Sequence, residues 1–355
     1  MKFSTTMLQP VVLAALVLLA RSAAWANELP VPEKGLYLGI YANPAFGQQE
    51  TAIEKREGNG SRGIGRVFAL HLGYYHWGDL AAELDDQGVF QPDTNLKGDI
   101  QYGRVPVISW KCDQSTPNSN HVIAGGNWSE DLTIFKSARA LAQYPGPVIV
   151  RWLWEFNLLQ SANYVGNQIC LGGNGGEPTQ QVYDDFIGAW RHIWLVFQLA
   201  GATNVVFLWN PGHYDPGMPN DPHGYYPGDL FVDWIGLDSY QRGTEDFSAD
   251  IDQFYTDFTQ PEYGGKPLMV GENGSPSYPQ PGVTSEMQEP YLGTLLTAVE
   301  ANLYPQLKAY CYFDSGDTPT SSGTDWHLDD NGGVAEMKIV GASQAFSPMA
   351  PRRSH

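Results

Sequence analysis

Two stretches of this 355-residue chain run through β-branched and apolar residues and end on a glutamate. The first is Pro147-Val148-Ile149-Val150-Arg151-Trp152-Leu153-Trp154-Glu155-Phe156-Asn157, and the second is Lys266-Pro267-Leu268-Met269-Val270-Gly271-Glu272-Asn273-Gly274. In each, a proline opens an apolar strand of the kind buried on both faces of a parallel sheet, and a carboxylate stands where the strand should end. A charge there is costly to desolvate unless it has partners or a task. Two carboxyls facing each other across a cleft rimmed with tryptophan and tyrosine suit cleavage of a glycosidic bond. One, kept protonated, donates to the leaving oxygen; the other, kept ionised, attacks the anomeric carbon or activates water. For the first stretch the competing reading is a structural ion pair between Arg151 and Glu155 that ties off a strand end.

These side chains need elements to hold them. Side chains alternate across a strand, so Ile149, Arg151, Leu153 and Glu155 share one side and Val150, Trp152 and Trp154 the other. Gly271 lets the backbone approach closely, and Asn273-Gly274 turns the chain away. Along the whole chain eight strands are expected: 36–41, 66–72, 105–110, 147–155, 204–210, 231–240, 267–272 and 307–314. Helical patterns fall between them at 48–56, 80–86, 131–143, 180–199, 286–301 and 334–345, the clearest being 180–199 with its three-to-four spacing of Val182, Phe186, Trp190, Ile193 and Phe197. Eight strands alternating with helices predict an α/β fold, a single (β/α)8 TIM barrel with extended loops at its C-terminal face. A doubly wound open sheet would want a G-x-G-x-x-G turn after an early strand, and Gly39-Ile40-Tyr41-Ala42-Asn43 does not supply one.

In such a barrel, chemistry belongs at the C-terminal strand ends. Those ends read Trp110 and Lys111, Glu155 and Asn157, Trp209 and Asn210, Asp238 and Tyr240, Glu272 and Asn273, and Tyr312 and Asp314. By count the two glutamates follow the fourth and seventh strands, so both face one mouth.

Residues 1–26 carry Lys2, an apolar run from Val11 to Ala20 and the small-residue exit Ala24-Trp25-Ala26, the pattern of a secretory signal peptide. Its removal takes the formal charge from −19 to −21 and leaves residues 27–355 as one catalytic domain, expected to be exported, monomeric and free of the membrane. A surface this acidic repels nucleic acid and anionic lipid but tolerates a neutral glycan. The 19 tyrosines and 11 tryptophans supply rings that stack on sugars and donors that reach hydroxyls. Cys112 and Cys170 fall in loops after successive strands and are placed to pair in an exported chain, while Cys311 reads as a buried thiol. No Cys or His spacing calls for a metal, and no cofactor is expected. Asn59, Asn127 and Asn273 begin N-x-S/T sequons that are read as incidental.

An ordered set of segments carries a resemblance. Val105-Pro-Val-Ile-Ser-Trp110, Val150-Arg-Trp-Leu-Trp-Glu-Phe-Asn157, Gly201-Ala-Thr-Asn-Val-Val-Phe-Leu-Trp-Asn-Pro211, Tyr225-Tyr-Pro-Gly-Asp229, Val232-Asp-Trp-Ile-Gly-Leu-Asp-Ser-Tyr240 and Lys266-Pro-Leu-Met-Val-Gly-Glu272 run in order over most of the chain. Together they resemble glycoside hydrolase family 26, the β-mannanase family of retaining barrel enzymes. The resemblance implies Glu155 as acid/base and Glu272 as nucleophile, with Tyr240 hydrogen-bonded to the nucleophile and Arg151 beneath both acids. It also implies a sugar-binding surface drawn from Trp110, Trp154, Trp209, Tyr240 and Tyr312. The activity implied is endo-hydrolysis of a β-linked polysaccharide. Three departures bear on the sugar. Trp154 stands where the family usually has a histidine before the acid/base, Lys111 stands where a histidine often follows the tryptophan, and Leu158-Leu-Gln-Ser-Ala-Asn163 replaces a tryptophan-rich stretch. A β-glucan, a xylan or an exopolysaccharide therefore stands beside mannan as candidate substrate, and a polysaccharide-binding barrel without catalysis is the alternative from another class.

Overall fold

The computed structural model describes residues 29–43, 49–158, 169–172, 178–217, 221–241, 243, 246–278, 282–283, 285–315, 324–346 and 348–349. The expected leader and most of the Leu158–Asn163 segment lie outside them. Eight strands close a barrel in chain order, every neighbouring pair parallel: β1 (Tyr37–Asn43), β2 (Leu70–Tyr75), β3 (Val105–Trp110), β4 (Val148–Trp152), β5 (Val205–Trp209), β6 (Trp234–Asp238), β7 (Leu268–Asn273) and β8 (Leu307–Ser315). This is the expected (β/α)8 barrel. Its helices are α1 (Gln49–Glu57), α2 (Asp79–Ala82), α3 (Thr94–Tyr102), α4 (Ser119–Gly125), α5 (Trp128–Leu141), α6 (Gln180–Leu199), α7 (Phe247–Phe258), α8 (Gln288–Glu300) and α9 (Gly333–Ala342).

Side chains alternate between two cores. Leu70, Leu72, Val105, Val107, Ile149, Val206, Leu208, Met269 and Ala309 fill the barrel interior. Their neighbours, among them Ile108, Val150, Phe207, Leu237 and Val270, face the helices together with Phe186, Trp190, Phe197 and Leu295. This parity decides which strand-end residues can reach the mouth.

Several boundaries differ from expectation for identifiable reasons. β2 begins at Leu70 rather than Arg66, because the Arg66 guanidinium donates to the Gly341 and Phe346 carbonyls at 2.9 and 2.7 Å and leaves the sheet. It then continues to Tyr75, three residues past the expected end. β4 stops at Trp152, since Leu153 (φ 49°) and Glu155 (φ 56°) enter the left-handed region and break the extended chain. Helix α5 starts at Trp128 because Asn127 accepts from the Ser129 N–H and serves as the cap. Three helices, α3, α4 and α7, were not expected. Yet α7 carries its signals openly: Asp246 accepts from the Ala249 N–H, and Phe247, Ile251, Phe254 and Phe258 form the buried stripe.

Candidate active site

The mouth is built around Arg151, which is fully buried on the inward face of β4. Its Nε donates to Ser109 Oγ of β3 at 2.7 Å, its Nη1 to Asp238 of β6 at 2.8 and 3.0 Å, and its Nη2 to Glu272 of β7. Burial works against its charge, but Asp238 and then Glu272 outweigh that and hold its pKa above the ordinary arginine value. Asp238 shifts upward, first through burial and next through the Glu272 and Glu155 charges, against the pull of Arg151. One oxygen each from Glu155, Asp238 and Glu272 lies within 4.8 Å of the others. The guanidinium already donates to two of these three carboxylates, so the positive charge at their centre comes from the chain itself.

Each glutamate reaches the mouth by an irregularity. The register of β7 against β6 and β8 shifts around Val270 to Asn273, a bulge that re-aims the strand end. Asn273 turns to the helix side, where it accepts from Tyr310 Oη at 2.8 Å and donates to Ser239 O at 2.6 Å, while Glu272 turns inward. Gly271 is needed here because a Cβ would overlap Asn210 Oδ1 and Asp238 Oδ1. Glu155 arrives on the left-handed turn after β4, pinned by its N–H to Asn210 O at 2.9 Å. Asn157 locks the same turn to the end of β5, accepting from the Gly212 N–H at 2.8 Å. Non-glycine residues at positive φ are strained by roughly 1–3 kcal/mol each and persist where surrounding structure imposes them.

Two tyrosines complete the surroundings of Glu272. Tyr74 Oη donates to Oε1 at 2.5 Å and Tyr240 Oη to Oε2 at 2.6 Å. Burial, followed by the Glu272 charge, pushes both phenols well above their ordinary pKa, which keeps them donors. Trp154 packs on Tyr74 with ring centroids 5.0 Å apart, and the Arg151 guanidinium lies 5.5 Å from its ring. Tyr41 stacks on Phe313 at 4.7 Å, and Trp326 packs on Tyr240 at 4.8 Å, extending the aromatic rim.

No family model matches the chain. By sequence it is 26% identical over 178 residues to Endoglucanase H of Acetivibrio thermocellus, covering 49% of this chain and 18% of that protein. It is 24% identical over 157 residues to a β-1,3-xylanase of Vibrio sp., covering 44% of this chain and 29% of that one. The chain thus spans less than a third of the length of these relatives. Among solved structures, a GH26 β-mannanase from Bacteroides ovatus superposes with a TM-score of 0.56 at 17% identity, covering 94% of each chain. The chain has the fold of the GH26 β-mannanases.

Of the residues singled out by sequence, the structure brings Glu155, Glu272, Arg151, Tyr240 and Trp154 to one mouth. It does not bring Trp110, Trp209 or Tyr312, which are all fully buried. Trp110 stacks on Trp77 at 4.9 Å and packs on Trp152 and Phe197. Trp209 lies among Phe156, Tyr226 and Phe258, its indole donating to Tyr225 O at 3.2 Å. Tyr312 donates to Trp326 O at 3.1 Å. All three have the outward parity of their strands, so they support the rim from the helix side rather than touch a ligand. The expected alternation past Trp152 also fails: Leu153 goes to the helix-side core and Trp154 to the mouth. By sequence, Tyr74 and Ser109 have no place in the site, and Asp238 is a strand end without a role. Extending β2 to Tyr75 would have put Tyr74 in phase with Leu70 and Leu72, and so on the inward face. Cys112 and Cys170 are disulfide-bonded and Cys311 is a buried thiol, as expected. Asn273 is fully buried, which removes it as a glycan acceptor in the folded chain.

Proposed function

We propose that this protein is an exported, retaining, endo-acting β-glycanase working by double displacement. The observation that carries the reading is the approach of Glu155 and Glu272 to within 4.8 Å, oxygen to oxygen, in one aromatic mouth. Inverting hydrolases hold their carboxyls about 6.5–9.5 Å apart to admit water, and retaining ones about 5–5.5 Å, so the spacing favours direct attack. Glu272 is the nucleophile: three donors hold its carboxylate in place in the mouth. Among the described residues Oε1 already accepts from Arg151 and Tyr74, whereas Oε2 accepts only from Tyr240, and a carboxylate oxygen has two in-plane lone pairs. Oε2 is therefore the attacking atom. Glu155 protonates the leaving oxygen and then takes a proton from the incoming water. Asp238 makes no contact with substrate; it shares the Arg151 fork and fixes the guanidinium beneath the nucleophile.

A polysaccharide-binding barrel without catalysis would have no use for a carboxylate held by three donors, which counts against that alternative. The backbone sugar is a β-mannan, β-glucan or xylan. The structural neighbours favour the first, and the endoglucanase and xylanase relatives favour the other two. Export rests on the apolar leader pattern together with the disulfide, a bond that persists in oxidising compartments. The test is reducing-end release from mannan, mixed-linkage glucan, β-1,4-glucan and β-1,3-xylan. Activity on at least one, absent from Glu155→Ala and Glu272→Ala variants that remain folded, is expected; wild-type-like turnover in either variant refutes the assignment.

A further inference from the structure

Lys111 is the first residue beyond β3, two positions after Ser109, whose side chain points inward to Arg151. By strand parity it stands on the inward face above that contact, with its backbone N–H fixed to Tyr75 O at 2.9 Å. The following Cys112 is tied to Cys170, so the segment is anchored on both sides. The ammonium lies 5.9 Å from the Trp154 ring, next to the residue that precedes Glu155, and the side chain is half-buried. Among the described residues no carboxylate lies within ion-pairing distance of it. The two arginines that are fully buried among the described residues, Arg151 and Arg104, are each shared by at least two acids. A half-buried cation at the mouth with no carboxylate partner among the described residues, in a chain of 39 acidic and 20 basic residues, is a mismatch that a ligand can resolve.

We infer that Lys111 is an anion subsite, and that the preferred substrate is a β-linked polysaccharide bearing a carboxylate, such as a uronic acid residue, on a sugar adjoining the cleavage point. This rests on the hydrolase reading above. The sugar ring lies against Trp154, and its carboxylate takes the ammonium in a partly dehydrated site, where a charge-assisted hydrogen bond outweighs its exposed equivalent.

The test uses oligosaccharides of β-1,4-mannan, β-1,4-glucan and mixed-linkage glucan, each neutral and oxidised at C6 to the uronate. Binding is measured by calorimetry on a Glu272→Gln background, with hydrolysis on the otherwise native enzyme. The expected result is that one oxidised oligosaccharide binds about tenfold or more tighter than its neutral parent. Lys111→Met should erase that preference without weakening the neutral parent, and Lys111→Arg should retain it. Equal binding of both forms, or a Lys111→Met loss shared equally by both, overturns the inference and leaves the hydrolase reading intact, because the latter is judged by reducing-end release. Hydrolysis of neutral glycans alone overturns it equally.

Discussion

Among the described residues two buried arginines are surrounded by carboxylates, and the contrast between them separates a site from a scaffold. Arg104, at the foot of β3, donates to Glu57 at 2.8 Å, to Glu50 at 2.9 Å and to Asp99 at 3.3 Å, while Asp99 also meets His71 at 2.9 Å. Its partners come from α1 and α3, and the cluster ties those helices to the sheet. Arg151 has a similar composition but stands at the open end of the barrel. Its partners are strand ends, two phenols share one of its carboxylates, and the backbone beside it is irregular on both β4 and β7. An ionic cluster alone therefore does not mark chemistry. The opening, the aromatic rim and the strained delivery of Glu155 do.

Substitutions can break this contrast in order of effect. Glu272→Ala and Glu155→Ala should each lower kcat by at least about 10³-fold with little change in melting temperature, since on the proposed mechanism each takes part in both chemical steps. For Glu155→Ala, substrates with a good leaving group should be spared relative to those with a sugar leaving group, because less protonation is needed. Arg151→Met should cost stability and activity together. Arg104→Met should cost about 3–5 kcal/mol in denaturant unfolding, the usual penalty for stranding buried charges, with kcat per folded molecule unchanged. If Arg104→Met also abolishes kcat, the two clusters are not functionally separate.

Next in size are the phenols. Tyr240→Phe removes the one donor that the described residues give Oε2, the proposed attacking oxygen, and should slow turnover by about 10- to 100-fold. Tyr74→Phe leaves Arg151 on Oε1 and should cost less. The reverse ranking would reassign the attacking oxygen. The smallest effect is expected away from both arginines, at Glu83. Burial first, then the Asp93 charge, raises its pKa to about 7. A carboxyl whose folded pKa is raised holds its proton more tightly when folded, so stability falls as pH climbs from the ordinary glutamate value toward about 7 and then levels off. Glu83→Gln should flatten that decline by about 1–3 kcal/mol, read from unfolding curves at pH 5 and 8. An unchanged slope would refute the shift.

The barrel was legible because hydrophobic runs and their spacing are set by burial, which sequence records directly. Both glutamates were legible for the same reason, each ending such a run. Side-chain direction at the strand ends was not. Trp110, Trp209 and Tyr312 sit at the right height, but one step of parity turns them toward the helices. The alternation that separates Arg151 from Trp152 on β4 holds equally on β3, β5 and β8 and excludes all three from the mouth. Tyr74 was lost with the last residues of β2. The β7 bulge and the left-handed turn at Leu153 and Glu155 depend on contacts with Asn210, Asp238, Tyr291 and Tyr310 from distant segments, so no local pattern announces them.

The central claim is that Glu272 attacks the anomeric carbon directly while Glu155 handles the proton. Proton NMR of the first turnovers, observed before mutarotation, reads this through the configuration of each new reducing end. The β-anomer should accumulate first from a β-linked substrate; initial release of the α-anomer would contradict the account.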